Sequence, residues 1–210
     1  MKIKTFVFNP FQENTYIIYD ETGECCIIDP GCNSTNEEKK LTNFIEVNNL
    51  TLKYILLTHG HIDHILGLDF IAGMYSMNPF IHPDDLFLIH SGTAIANMYG
   101  LDFIPYSGST IDIKDRDTIR FGNSKLTAIH CPGHSPGGVC FYSADFKILI
   151  SGDVLFHTSI GRTDLPGGDY ATLINSIQSN LMILPDDTNV YPGHSEFTTI
   201  GFERYNNPFL

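Results

Sequence analysis

The chain has 210 residues, of which 42% are hydrophobic, and a formal net charge of −12. A chain of this length buries enough surface to fold without disulfides. Its negative charge argues against nucleic-acid or anionic-membrane partners, because both select a basic face. The N-terminal segment lacks the apolar stretch of a signal peptide, and no apolar run approaches the ~20 residues of a membrane span. With an odd number of cysteines, five, we expect a reduced, cytoplasmic protein.

Apolar runs bounded by turn residues predict strands, and the first two such runs frame the turn NPFQEN. The predicted strand segments are 3–8, 15–19, 25–31, 53–58, 118–123, 125–134, 138–153 and 188–194. Apolar residues at helical spacing predict helices at 36–50, 64–75, 84–100 and 169–184. Because strands and helices mix along the chain without a linker-like stretch, we expect a layered α/β fold and a single domain over residues 1–210.

Four of the predicted strands end in loops that carry histidine or aspartate. The residues at these strand ends are His59, His61, Asp63, His64, His134, Asp153 and His194. Strand ends in a rigid sheet are places where proteins hold reactive groups in fixed positions. Two of the loops repeat Pro-Gly-His, in which glycine permits tight backbone geometry beside the side chain. The pattern predicts metal ligands rather than surface residues.

The number of ligands predicts two metal ions. A catalytic zinc takes about three protein ligands and a water, and a structural zinc takes about four, so seven residues are too many for one ion. A carboxylate can bridge two ions whereas a neutral imidazole cannot, which makes Asp153, alone in its loop, the candidate bridge. The absence of cysteine from the set argues against a structural zinc finger. Imidazole and carboxylate suit zinc, iron or manganese.

The metal-ligand motifs resemble those of the metallo-β-lactamase superfamily, and the likeness covers nearly the whole chain. The resemblance implies an αββα sandwich of four layers with the metals at one edge of two packed sheets. It also implies the division of the ligands between the ions. One metal would take His59, His61 and His134, the second would take Asp63, His64 and His194, and Asp153 would bridge them.

A narrower resemblance is to the glyoxalase II-like (hydroxyacylglutathione) hydrolases. It is carried by GHSPGG (133–138), SIGRTDLPGGD (159–169) and TTIGFERYNNPFL (198–210). Only a short tail follows His194, so we expect the chain to lack the C-terminal helical domain that binds much of the glutathione in full-length glyoxalase II. The substrate-binding residues are therefore left unassigned. The best-known zinc β-lactamases have cysteine in place of Asp153, which disfavours antibiotic hydrolysis.

The resemblance implies hydrolysis of a small-molecule thioester, an acyl-glutathione such as S-lactoylglutathione. Two cations lower the pKa of a shared water to about 7, and the resulting hydroxide would attack the thioester carbonyl. Asp63 is the candidate catalytic residue, which orients that hydroxide and takes its proton besides ligating a metal. Two alternatives stay open. One is persulfide dioxygenation with a single iron, and the other is a non-catalytic metal-binding or redox-sensing module that uses Cys131.

Other polar residues receive simpler interpretations. Asp29, which ends a predicted strand in IDPG, is expected to orient a ligand histidine from behind. Arg162 and Asp164 are expected to pair as a loop anchor, and His157 is expected in a surface loop although it lies near Asp153 in the chain. Two further sets are expected to lie outside the metal site. The histidines His82, His90 and His130 are expected to be structural or exposed, and the cysteines Cys25, Cys26 and Cys140 are expected to be small core residues.

Overall fold

The computed structural model describes every residue from Met1 to Leu210, and its internal contacts divide the chain into two compact units. The first unit comprises Met1–Asp112 and Arg120–Ser124, and the second comprises Ile113–Ile119 and Lys125–Leu210. Sheets and helices occur in both, which confirms the predicted α/β class. The assignment of a single domain stays a prediction. None of the helices is long and apolar enough to cross a membrane.

The first sheet supplies the strand end that precedes four of the seven predicted ligands. Its strands are β1 (Lys2–Phe8), β2 (Glu13–Tyr19), β3 (Glu24–Ile28), β4 (Thr51–Leu56), β5 (Phe80–Ile81) and β6 (Ile111–Asp112), paired in that order. The first three strands are antiparallel, whereas β3, β4, β5 and β6 are parallel. The register pairs Ile28 with Leu56, so the residues that follow β3 and β4 emerge at the same edge of the sheet.

Four helices belong to the first unit. They are α1 (Thr35–Val47), α2 (Ile62–Ile65), α3 (Leu68–Tyr75) and α4 (Leu86–Tyr99). The buried side of α1, with Leu41 and Ile45, packs in one core cluster with strand residues such as Ile27. The helix predicted at 64–75 is divided in two at Gly67. A Cβ atom there would lie 2.7 Å from the Cys32 carbonyl oxygen, so the helix is broken where the chain packs closely.

The second sheet has strands β7 (Thr118–Phe121), β8 (Ser124–His130), β9 (Val139–Ser143) and β10 (Ile148–Gly152). After the hairpin of β11 (Leu155–Phe156) and β12 (Ser159–Ile160), β13 (Asn189–Pro192) and β14 (Thr198–Thr199) complete it. The spatial order is β14-β13-β10-β9-β8-β7. Because β9 is antiparallel to both β8 and β10, and β13 is parallel to β10, the carboxyl ends of β8, β10 and β13 lie at one edge.

Two helices cover part of the second sheet. They are α5 (Tyr170–Ser176), which continues as a π-helical turn over Ile177–Leu181, and α6 (Ile200–Asn206). Asp169 caps α5 by accepting a hydrogen bond from the Thr172 amide at 2.8 Å. Leu173 and Leu181 then pack with strand residues such as Leu149. The sequence predicted the first helix, but α6 and the two-residue strands were missed because such short elements carry little periodic signal.

Candidate metal centre

The first group of predicted ligands follows β4 in the first unit. His59 and His61 lie in the loop after the strand, and Asp63 and His64 lie in the single turn of α2. The ring centroid of His59 is 4.7 Å from that of His61 and 4.1 Å from that of His64. His59 and His64 are buried, and the Asp63 side chain is 15% exposed. The fold thus gathers all four residues of the HxHxDH motif in one place.

Asp29 lies behind this group, as its position after β3 predicts. Its Oδ2 is 2.9 Å from His64 Nδ1 and accepts a hydrogen bond from the Thr58 hydroxyl at 2.6 Å. Its Oδ1 accepts from the Thr58 amide at 2.7 Å. Asp29 has a φ of 52°, a left-handed conformation that aspartate tolerates better than most residues. The parallel register of β3 and β4 brings these residues together.

The Asp29 contact fixes the chemical form of His64. An ionised carboxylate can only accept hydrogen bonds, so Nδ1 of the ring must donate and the neutral ring keeps a lone pair on Nε2. His64 Nε2 lies 3.7 Å from Asp63 Oδ2, beyond hydrogen-bond distance. The Thr58 hydroxyl also lies 3.0 Å from His59 Nδ1. Both buried histidines therefore have their Nδ1 atoms engaged by the protein, which is the usual support of metal-binding histidine.

Glu13 is a buried acid of the same unit that the sequence interpretation missed. Its Oε2 is 2.8 Å from the Thr15 hydroxyl, which in turn donates to the Asp29 carbonyl at 2.7 Å. Burial raises the pKa of Glu13 well above its ordinary value. Glu13 therefore helps to hold the Asp29 loop in place through Thr15. Its place in the polar turn NPFQEN resembles that of an ordinary surface residue, so no local pattern marks it.

The second group of predicted ligands lies at the carboxyl ends of β8, β10 and β13. Asp153 Oδ2 is 3.6 Å from His134 Nε2 and 3.5 Å from His194 Nε2. Asp153 and His134 have side chains only 12% and 5% exposed. One carboxylate oxygen is therefore shared between two imidazole nitrogens, each from a different loop.

The separations within both groups suit ligands of a metal. Distances of 3.5 to 3.7 Å are too long for hydrogen bonds. Two ligands about 2.0–2.1 Å from a tetrahedral ion lie about 3.4 Å apart, close to what is seen. Imidazole nitrogen and carboxylate oxygen with fixed Nδ1 partners form a donor set that fits zinc or iron. The residues present thus fit a divalent cation on their own chemistry.

The first Pro-Gly-His loop is held against α5 at both ends of the helix. The Gly133 carbonyl accepts from the Asp169 amide, and the Pro132 carbonyl accepts from the Ser176 hydroxyl, both at 2.8 Å. Gly133 has a φ of 131°, and a Cβ atom there would lie 2.5 Å from Leu173 Cβ. Only glycine fits this backbone and this space. The helix therefore sets where the His134 loop can lie.

The GRTD stretch supports His134 through its main chain. The Arg162 carbonyl lies 2.7 Å from His134 Nδ1, which makes that nitrogen the donor and leaves the lone pair of the neutral ring on Nε2. The Arg162 side chain makes a bidentate pair with Asp164, with both contacts at 2.6 Å, and this pairing lowers the pKa of Asp164 to about 2. The expected loop anchor is therefore present. A Cβ atom at Gly161 would lie 3.0 Å from His134 Nδ1 and would overlap the Asp153 carbonyl oxygen.

The remaining histidines have other partners. His157 Nδ1 lies 3.0 Å from Glu196 Oε1, and its ring packs beside Phe202 at 5.0 Å. His130 Nε2 contacts the Pro136 carbonyl at 2.9 Å. His82 Nδ1 accepts from the Asp84 amide at 3.3 Å, and His90 is exposed. His157 is a partly exposed loop residue, and the interpretation of the other three as structural or exposed agrees with these positions.

The cysteines are all free thiols and all buried. Burial raises the pKa of Cys25 to about 12 and also raises the pKa values of Cys26 and Cys140 well above their ordinary value. Buried thiols with raised pKa values form little thiolate and react slowly. The interpretation of Cys25, Cys26 and Cys140 as small core residues is in keeping with these environments.

The Asp29→Asn variant tests the support of His64. An asparagine Nδ2 would donate toward Nδ1 of the ring, shift the ring proton to Nε2 and remove the lone pair needed for a metal. We expect zinc affinity to fall about 10- to 100-fold, measured by competition with a chromophoric chelator. Asp102→Asn makes the same chemical change at an exposed position of the same unit and should leave affinity unchanged. Equal affinities for both variants would contradict this role of Asp29.

The Gly161→Ala variant tests the main-chain support of His134. The added methyl group overlaps the Asp153 carbonyl oxygen, so Asp153 or the Arg162 carbonyl must move. We expect zinc affinity to fall about 10- to 100-fold in protein whose circular dichroism is unchanged. Gly73→Ala is the control, since a Cβ atom there meets nothing within 4 Å. Wild-type affinity in Gly161→Ala would exclude the proposed support.

Comparison with known proteins identifies the family. The sequence profile of the Metallo-beta-lactamase superfamily matches residues 8–194. Hydroxyacylglutathione hydrolase GloC of Haemophilus influenzae is 37% identical over 219 aligned positions, which span 100% of this chain and 98% of the relative. Both sequences therefore align over almost their full lengths.

Two solved structures are similar over the same extent. BLEG-1 B3 metallo-beta-lactamase is 34% identical with a TM-score of 0.89, and the match covers 100% of this chain and 99% of that one. TTHA1623 in a di-iron-bound form is 35% identical with a TM-score of 0.88, and the match covers 99% of this chain and 100% of that one. The predicted fold class is thereby confirmed, and this chain belongs to the metallo-β-lactamase superfamily.

Proposed function

We propose that this protein is a metal-dependent hydrolase of thioesters, with an acyl-glutathione such as S-lactoylglutathione as its substrate. Membership of the superfamily supports a metal-dependent hydrolase. The observation that carries the thioester assignment is the 37% identity, over nearly the full length of both chains, to a relative named hydroxyacylglutathione hydrolase. The donor groups described above supply the chemistry that such a reaction needs.

The proposed ligand set assigns seven residues to two divalent ions. One ion takes His59, His61 and His134, the other takes Asp63, His64 and His194, and Asp153 bridges them. The position of Asp153 Oδ2, 3.6 Å and 3.5 Å from the Nε2 atoms of two histidines assigned to different ions, supports the bridging role. Zinc is the proposed metal. The di-iron-bound form of a relative 35% identical supports iron as the second candidate.

When bound, two divalent cations supply Lewis acidity and lower the pKa of a water to about 7. Asp63 is proposed to orient that water and to hold its proton at a carboxylate oxygen. Its side chain is 15% exposed, so it is both accessible to water and fixed by α2. Asp29 and the Arg162 carbonyl keep Nε2 of His64 and His134 unprotonated. A thiolate leaves readily, so the chain needs no separate acid beside the leaving group.

The alternatives are weakened by particular residues. A persulfide dioxygenase with one iron needs fewer ligands than the seven present here. A redox-sensing module would need an accessible, reactive thiol, yet the Cys131 side chain is fully buried. Hydrolysis of β-lactams is the competing hydrolytic activity, because a relative 34% identical is named a B3 metallo-beta-lactamase. It is therefore included in the substrate test.

A panel of substrates tests the proposed function. Protein loaded with zinc, and separately with iron, is assayed on S-lactoylglutathione, other acyl-glutathiones, a chromogenic cephalosporin and glutathione persulfide. We expect hydrolysis of the acyl-glutathiones, release of one thiol per acid formed, and loss of the activity in excess chelator. Metal-loaded protein that leaves every thioester intact would refute the proposal. Activity confined to the cephalosporin, or oxygen consumption with the persulfide, would replace it.

Variants of the two aspartates test their separate roles. Asp63→Asn should lower kcat by about 10²- to 10⁴-fold, the usual contribution of a residue that handles a proton. Asp153→Asn should lower kcat further, because it removes the negative charge that both ions are proposed to share. We therefore also expect this variant to bind less metal, which atomic emission measures. Asp145→Asn is a control in the second unit, since its carboxylate is exposed and pairs only with Lys125 at the surface. Full activity in Asp153→Asn would contradict the bridging assignment.

A further inference from the structure

The turn between β1 and β2 is fastened to two other segments by one side chain. Asn9 Nδ2 donates to the Gly31 carbonyl at 3.0 Å and to the Asp63 carbonyl at 2.9 Å. These partners lie 22 and 54 residues away in the chain. A single amide therefore joins the turn, the loop after β3 and the helix α2.

Asn9 is itself held firmly. Its backbone N–H donates to Glu37 Oε1 at 3.0 Å, and its Oδ1 accepts from the Phe11 amide at 3.0 Å. Its φ of 51° lies in the left-handed region, which asparagine tolerates better than most residues. Both hydrogens of the side-chain amide are used, and its oxygen is engaged as well. The contacts with Glu37 and Phe11 therefore fix the orientation of the Asn9 amide independently of its two carbonyl partners.

The two carbonyls that Asn9 joins belong to the segments that build the first ligand group. Gly31 follows Asp29, the partner of His64, by two residues. Asp63 precedes His64 in α2. The segments touch closely here, since a Cβ atom on Gly31 would lie 2.5 Å from the Asp63 carbonyl oxygen. Asn9 donates to both carbonyls at this contact, so neither needs water as a partner.

We propose that Asn9 is a positioning residue for Asp63. By holding the Asp63 main chain against the Asp29 loop, it fixes where the Asp63 carboxylate lies relative to His64. The proposal rests on the proposed function, in which the Asp63 carboxylate orients the attacking water. A displacement of about 1 Å in such a group costs about 10²-fold in rate. Asn9 contacts neither water nor substrate in this role and acts only through Asp63.

The test replaces Asn9 without disturbing its backbone. Asn9→Asp keeps the size and the Oδ1 acceptor but turns a second oxygen toward two carbonyl oxygens. Asn9→Gly removes the side chain, adds no charge and suits the positive φ. Asn49 has the same φ of 51° but lies exposed outside the ligand group. Asn49→Asp and Asn49→Gly are therefore matched controls for backbone and charge.

Three readouts are measured on all four variants: steady-state kinetics on S-lactoylglutathione, zinc affinity by chelator competition, and the visible spectrum of the cobalt-substituted protein. For Asn9→Asp and Asn9→Gly we expect kcat to fall about 10- to 100-fold, with KM within about twofold and a changed cobalt spectrum. The Asn49 variants should match wild type in all three. Circular dichroism confirms folding, and Asn9→Gly carries the test if Asn9→Asp does not fold.

The outcomes separate this inference from the proposed function. If wild type hydrolyses thioesters and folded Asn9 variants match the Asn49 controls in kcat and in the cobalt spectrum, the role of Asn9 is refuted while the function stands. If wild type hydrolyses no thioester, the proposed function fails. The cobalt spectrum then still decides on Asn9: a change confined to the Asn9 variants supports its positioning role, and no change overturns it.

Discussion

The buried hydrogen bond between Asp29 and His64 is the interaction on which the first ligand group depends. A buried histidine can offer a lone pair to a cation only if the protein fixes the other ring nitrogen as the donor. Asp29 does this at 2.9 Å and also binds Thr58 through both carboxylate oxygens. The parallel pairing of Ile28 with Leu56 makes the contact possible. The register of β3 and β4 therefore determines which nitrogen of the His64 ring is free to bind a cation.

The second ligand group follows the same principle with different parts. Its three loops leave the sheet at the carboxyl ends of β8, β10 and β13, which run in one direction. Here a main-chain carbonyl, that of Arg162, replaces the carboxylate as the partner of the histidine at 2.7 Å. The Gly161 and Gly133 positions admit no side chain beside their neighbours. Glycine is thus a requirement of the close packing that orients His134.

Much of the fold was predictable from local patterns. Strands β1 to β4 are apolar runs bounded by turn residues, the longer helices carry hydrophobic periodicity, and the ligand candidates stand after strands. Asp29 also followed from the sequence, because its place after a strand put it at the expected edge. The assignment of seven ligands to two ions stays a prediction that the within-unit geometry supports. Local pattern and strand-end position were enough for the strands, the longer helices and Asp29 because neither depends on distant contacts, whereas the division of the ligands between two ions rested on the family resemblance.

The residues that escaped prediction act through distant contacts. Asn9 contacts a carbonyl 54 positions away, and Glu13, the first residue of β2, supports the Asp29 loop. The role of Gly161 depends on its distance from Asp153 and His134 in space. In each case the local sequence is typical of a turn, and the function arises only when separate segments meet. Local patterns in a single sequence do not reveal contacts between segments that are distant in the chain.

The most direct test of the account is an anomalous X-ray diffraction experiment on crystals of the zinc-loaded protein. The account predicts two zinc peaks, one bound by His59, His61 and His134 and the other by Asp63, His64 and His194. Asp153 should contact both ions. A single peak at full zinc loading, or two peaks of which one is bound by residues outside these seven, would contradict it.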